Sequence, residues 1–111
     1  MDTSREILRG FIKVHILFHA SHEPVYGLGL IEELARHGYH LSPGTLYPIL
    51  HAMERDSYLA SHEEVIGGKV RRYYRATDLG QGTLREAQTK IKELVAEVLG
   101  EVASEDPQQY D

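Results

Sequence analysis

Three short helices, a basic hairpin turned at Gly67-Gly68 and a long closing helix follow one another along this 111-residue chain. That order predicts a mainly α (α+β) fold: a winged helix-turn-helix with a two-stranded wing and a long C-terminal dimerisation helix. Two segments weigh most. S-P-G-T-L-Y-P-I-L at 42–50 reads as the start of a helix whose first turn is free to touch something. G-G-K-V-R-R-Y-Y-R at 67–75 reads as a cationic, aromatic strand entered through a glycine turn.

The first helix is read over 4–20, where Ile7, Leu8, Phe11, Val14, Leu17 and Phe18 recur at helical spacing. Ser4 is the expected cap. Pro24 ends the segment, since it lacks a donor and restricts Glu23. The second helix covers 27–37, with Leu28, Ile31, Leu34 and Ala35 inward and Gly38 as its stop. The third starts at Ser42, a good N-cap, with Pro43 at the first helical position, where its missing N–H costs nothing. It runs to about Asp56. Leu46, Ile49, Leu50 and Met53 form its buried stripe, while Gly44, Pro48, His51 and Arg55 lie opposite. Pro48 removes the N–H that would bond Gly44, so the first turns should be bent or loosely wound.

Strands are expected over 58–66 and 69–76. Gly67-Gly68 supplies the positive φ angles of a two-residue hairpin turn. Val70, Arg72, Tyr74 and Ala76 share one face of the second strand; Arg71, Tyr73 and Arg75 share the other. Thr77 caps a last long helix with an apolar seam of Leu84, Ala87, Ile91, Leu94, Val95, Val98, Leu99 and Val102. The expected organisation is a winged domain over 1–77, a dimerisation helix over 78–103 and a flexible tail over 104–111.

The bulk numbers restrict function. The apolar share is 41% and the charged share 26%, ordinary for a globular protein, and no run reaches membrane-spanning length. The first residues lack the pattern of a signal peptide. Without cysteine there is no disulfide, thiolate catalysis or cysteine-held zinc. The expected location is cytoplasmic. Net charge is −5, yet residues 67–75 hold Lys69, Arg71, Arg72 and Arg75 and no acid, so a +4 device sits on a body of −9. A DNA binder tolerates this, because phosphate attraction acts over about 8–10 Å in physiological salt. No nucleophile–base pair with an orienting third group and no glycine-rich phosphate loop is present, so an enzyme is not expected.

Several blocks in order resemble the PadR family of transcriptional regulators: R-E-I-L-R-G-F at 5–11, Y-G-L-G-L-I-E-E-L at 26–34, L-S-P-G-T-L-Y-P-I-L at 41–50, G-K-V-R-R-Y-Y-R-A-T at 68–77 and T-D-L-G at 77–80. Where that family usually has glycine after the recognition helix, this chain has Ser57, a residue that accepts a left-handed cap less readily. The short C-terminal region resembles the compact branch with one dimerisation helix. The resemblance implies a regulator, expected to be a repressor, that binds a pseudo-palindromic double-stranded operator as a homodimer and is released by a small-molecule effector of unspecified chemistry. Tryptophans that stack on flat drugs in a relative have no counterpart here.

The residues expected at DNA are Ser42, Thr45, Tyr47 and His51 on the third helix and Lys69, Arg71 and Arg72 on the wing. Competing roles stay open. Ser42 is a cap first, Tyr47 can close the core edge, and Arg72 and Arg75 can pair with Glu63 or Glu64. Tyr73 and Tyr74 read as packing ahead of base contact. The dimer interface is expected at Leu84, Ile91, Leu94, Val95, Val98, Leu99 and Val102. No cofactor, metal site or membrane partner is assigned. Two alternatives remain: a winged helix used for protein contact, and a metal-responsive regulator built on His15, His19 and His22, whose spacing includes one i, i+4 pair.

Overall fold

The computed structural model describes residues 2–100. Helix α1 covers Thr3–His22, strand β1 Val25–Tyr26, α2 Gly27–Arg36, α3 Pro43–Arg55, β2 Leu59–Ile66, β3 Lys69–Ala76 and α4 Asp78–Val98. The three strands form one antiparallel sheet in the order β1-β3-β2. This is the predicted winged helix-turn-helix with one added strand. Val25 and Tyr26 pair with Tyr74 and Tyr73, so the link between the first two helices stitches the wing's base to the helical body.

The core is entirely apolar apart from the Tyr74 hydroxyl, and Ile16, Leu30, Leu34, Leu46, Leu50, Leu59 and Tyr74 are its fully buried members. All four residues of the expected α3 stripe are buried. Two other stripes are turned relative to expectation. In α2 the inward positions are Gly27, Leu30 and Leu34, while Leu28 is exposed. In α1 they are Ile12, Ile16, Leu17 and Ala20, which leaves Ile7, Leu8, Phe11 and Phe18 on the surface. The helix is apolar on more than one side, so periodicity alone did not select the side facing this chain's own core.

The caps follow local chemistry. Asp2, not Ser4, caps α1 by accepting from the Arg5 N–H at 3.3 Å. Helix α3 ends in a Schellman motif: the Ser57 N–H donates to Glu54 O at 3.0 Å and the Tyr58 N–H to Met53 O at 2.9 Å. Ser57 takes the left-handed φ of 71° that this motif requires. Helix α2 ends in the same motif with Gly38 in that position. In the β2–β3 hairpin, Gly67 and Gly68 both have positive φ, 57° and 80°, which is the signature of a type I′ turn.

Thr77 joins α3 to α4. Its Oγ1 accepts from the Gly80 N–H at 3.0 Å, capping α4, and donates to Ser57 O at 2.6 Å. Its backbone N–H donates to Tyr58 O at 3.1 Å. The end of α3 and the start of α4 are thus tied through one residue.

Candidate nucleic-acid interface

The buried stripe of α3 fixes which of its sides stays in solvent. With Leu46, Ile49, Leu50 and Met53 locked in the core, Ser42, Gly44, Thr45, Pro48 and His51 are exposed. Ser42 has the extended backbone of an N-cap, but its side chain makes no capping bond; its hydroxyl donates to Thr45 Oγ1 at 3.3 Å. Pro43 has no N–H and the Thr45 and Leu46 N–H groups both donate to Ser42 O at 3.0 Å, so in the first turn the Gly44 N–H is the one left to meet a phosphate.

Five of the seven expected DNA residues line one cleft between α3 and the wing: Tyr47, His51, Lys69, Arg71 and Arg72. They differ in freedom. Lys69 is exposed beside the glycine turn and opposite Ile66. The Arg71 guanidinium lies 4.1 Å from the centroid of the Tyr26 ring and donates to the Tyr73 hydroxyl at 3.4 Å. That hydrogen bond, ahead of the nearby phenol charges, holds its pKa above the ordinary arginine value. Arg71 therefore serves the wing's base as well as any ligand. Arg72 is committed further, donating to Glu63 Oε2 at 3.0 Å and Ser61 Oγ at 3.1 Å. The cross-strand ion pair weighed from the sequence forms at Arg72–Glu63; among the described residues Arg75 has none.

The tyrosines divide in the same way. Tyr74 is 1% exposed and belongs to the core, where burial raises its pKa. Tyr73 packs between His62, stacked at 5.6 Å, and Tyr26, edge-on at 5.6 Å. Tyr47 folds back so that its ring edge occupies the space a side chain on Gly27 would need. It is half-buried at the junction of α2 and α3 with its ring 6.2 Å from His51.

The structure adds two cations that the sequence reading passed over. Arg9 and Lys13 of α1 border the outer side of α3 beside Thr45 and Pro48. Arg5, Arg9 and Lys13 recur every four residues, a basic stripe visible in the sequence once it is known which side of α1 is free.

A second surface lies behind the first. Helix α4 returns alongside α1, and between them runs an apolar groove lined by Ile7, Phe11, Phe18, Leu84, Ile91 and Leu94. Ile91, Leu94, Val98 and Leu99 are 41–66% exposed, Val95 is half-buried, and Leu84 belongs to the core of the single chain at 6%. Val102 and the tail over 104–111 lie outside the described residues.

Histidines cluster at one end of this groove. His15, His19 and His37 come together, whereas His22 faces elsewhere, its Nδ1 2.6 Å from Phe18 O. Burial, then the neighbouring His37 and His19 rings, lowers the pKa of His15. A hydrogen bond from His37 is the main cause holding the Glu33 carboxyl below its usual range.

Comparison with known proteins places this geometry. The family described as "Transcriptional regulator PadR-like family" matches residues 16–86. A curated transcriptional regulator of Mycobacterium tuberculosis is 49% identical over 96 residues, spanning 86% of this chain and 90% of its own length. Among solved structures, a PadR-like transcriptional regulator from Bacillus cereus superposes with a TM-score of 0.79 at 29% identity, covering 87% of this chain and 96% of that one. A padr family transcriptional regulator from Eggerthella lenta gives 0.74 at 33% identity, covering 93% and 90%.

Proposed function

This chain belongs to the PadR-like family of transcriptional regulators, and we propose that it acts as a repressor that binds pseudo-palindromic operator DNA as a homodimer and yields it to an effector. The observation carrying DNA binding is the division of α3 into a fully buried stripe and exposed first turns, set beside a wing with a free Lys69 at its tip. Thr45, His51 and the Gly44 N–H enter the major groove. Ser42 orients Thr45, and Tyr47 supports the helix from behind while its edge faces the cleft. Lys69 reaches phosphate or the minor groove, with Arg71 behind it. Arg72, held by Glu63, contributes mainly by stiffening the wing. Arg9 and Lys13 extend the cationic surface along α3.

Homodimerisation uses the α1–α4 face. Ile7, Phe11, Phe18, Ile91, Leu94, Val98 and Leu99 are large apolar side chains left exposed along α1 and the end of α4, the kind of surface that marks an interaction site. A two-fold axis there presents two α3 helices to one side of a duplex, about 34 Å apart. No helix among the described residues is long and apolar enough to cross a membrane, in keeping with action on DNA in the cytoplasm.

The test is selection from a random duplex pool with the purified full chain. The expected product is an inverted repeat with half-sites about one helical turn apart. Recovery of no enriched sequence, together with binding insensitive to salt, would favour use of the winged helix for protein contact.

A further inference from the structure

Two i, i+4 pairs on different helices meet at the groove's end. His15 and His19 lie one turn apart on α1; Glu33 and His37 lie one turn apart along α2 and its cap. Ligand atoms of the three imidazoles lie within 4.8 Å of one another. Glu33 Oε2 sits between two of the rings, 3.0 Å from His37 Nε2 and 3.7 Å from His19 Nε2. Arg36 engages the other carboxylate oxygen, Oε1, and so leaves Oε2 to the histidines. Tyr39 closes the cluster edge-on against His15, with ring centroids 5.3 Å apart.

We propose that His15, His19, His37 and Glu33 form a site for a borderline divalent transition cation of the Zn²⁺ class. Three neutral imidazoles and one carboxylate suit that ion in a tetrahedral site. Ligating nitrogens in such a site stand roughly 3.4 Å apart, from metal–nitrogen bonds of about 2.0–2.1 Å. The rings close to that spacing by rotation about their own side-chain bonds, which is open to them because all three are partly or largely in solvent. The set draws on two helices, so the bound ion clamps α1, which carries the apolar face, to α2, which packs against α3. The site stands whether or not the chain binds DNA.

The experiment uses tag-free, chelator-stripped full chain titrated with Co²⁺ and then Zn²⁺. One Co²⁺ per chain is expected, with the visible ligand-field absorption of a tetrahedral nitrogen and oxygen site, bleached by one equivalent of Zn²⁺. Zn²⁺ should also raise the melting temperature. H37A alters a half-exposed residue at a helix end, so its apo fold should match the parent by circular dichroism. Its affinity for Zn²⁺ should fall by at least roughly 10–100-fold, and that of E33Q by a similar factor. H22A/H40A/H51A/H62A, which removes every histidine outside the cluster, should bind as the parent does. Absence of a one-to-one Co²⁺ complex, undiminished affinity in H37A, or loss of binding in the quadruple variant would each overturn the site.

Discussion

Ser57 is the residue at which local preference and fold disagree most plainly. The Schellman motif ending α3 needs a left-handed residue, and Ser57 adopts it at φ 71°. Left-handed backbone costs an L-residue about 1–2 kcal/mol, a cost glycine avoids. Glycine also has a more flexible unfolded chain, which returns roughly 0.4–1 kcal/mol of that advantage. Ser57→Gly should therefore stabilise the protein by about 0.5–1 kcal/mol, read as a higher urea midpoint with unchanged slope at fixed protein concentration. Gly38→Ala, at φ 90° in the matching motif of α2, should move stability the other way. If Ser57→Gly lowers the midpoint, the serine side chain contributes something beyond its strain. The need for a special residue at 57 was legible in the sequence from the family pattern. That the chain pays for serine there instead of changing its turn was not, because only the hydrogen bonds to Glu54 and Met53 reveal that the motif is kept.

At the scale of elements, the sequence located every helix and both long strands, because glycine, proline and capping residues punctuate each of them. Periodicity did less well at choosing sides. Helix α1 serves a core through Ile16 and Leu17 and an open face through Phe11 and Phe18, so its apolar residues span too wide an arc for one stripe. Strand β1 escaped notice because two residues carry no period; only pairing with Tyr73 and Tyr74 defines it. The histidine cluster was half legible. His15 and His19 are neighbours in any helix, but the third imidazole is His37 and not His22, a choice made by the packing of α2 on α1. The wing gives a prediction of its own. Lys69→Ala should flatten the dependence of log K on log salt by about 0.9, the loss of one phosphate contact. Arg71→Ala should lower the melting temperature as well as the affinity, since its guanidinium covers Tyr26. An unchanged salt slope in the Lys69→Ala, Arg71→Ala double variant, with the fold intact by circular dichroism, would remove the wing from the interface. The junction with α4 gives another. A Cβ on Gly80 would overlap the Tyr58 carbonyl oxygen, which is backbone and cannot swing away. Gly80→Ala should cost about 1–3 kcal/mol in chemical denaturation, the range of overpacking in a tight contact. A smaller loss would mean that the start of α4 can lift from the link between α3 and β2.

For the whole molecule, the question is how the proposed dimerisation face and the proposed DNA face would act together, and Thr77 joins the elements that carry them. It caps α4 while donating to the carbonyls of Ser57 and Tyr58 just past α3, so a reorientation of α4 should be transmitted to the end of α3. Dimerisation should then do more than raise local concentration: it fixes the separation of two α3 helices. Leu94→Glu tests this. Leu94 is 49% exposed in the single chain and lines the groove against α1, so glutamate there leaves the chain's own core untouched but places a charge in the proposed dimer seam. Sedimentation should shift from dimer to monomer while circular dichroism of the monomer stays that of a folded winged helix. Binding to a full inverted repeat should fall by roughly 10²–10⁴, the factor gained when a second half-site becomes intramolecular, whereas binding to an isolated half-site should change little. A Leu94→Glu protein that remains dimeric would place the two-fold axis on another surface. One that turns monomeric yet keeps full-site affinity would show that each winged helix reads its half-site alone, and that the Thr77 link does not set operator spacing.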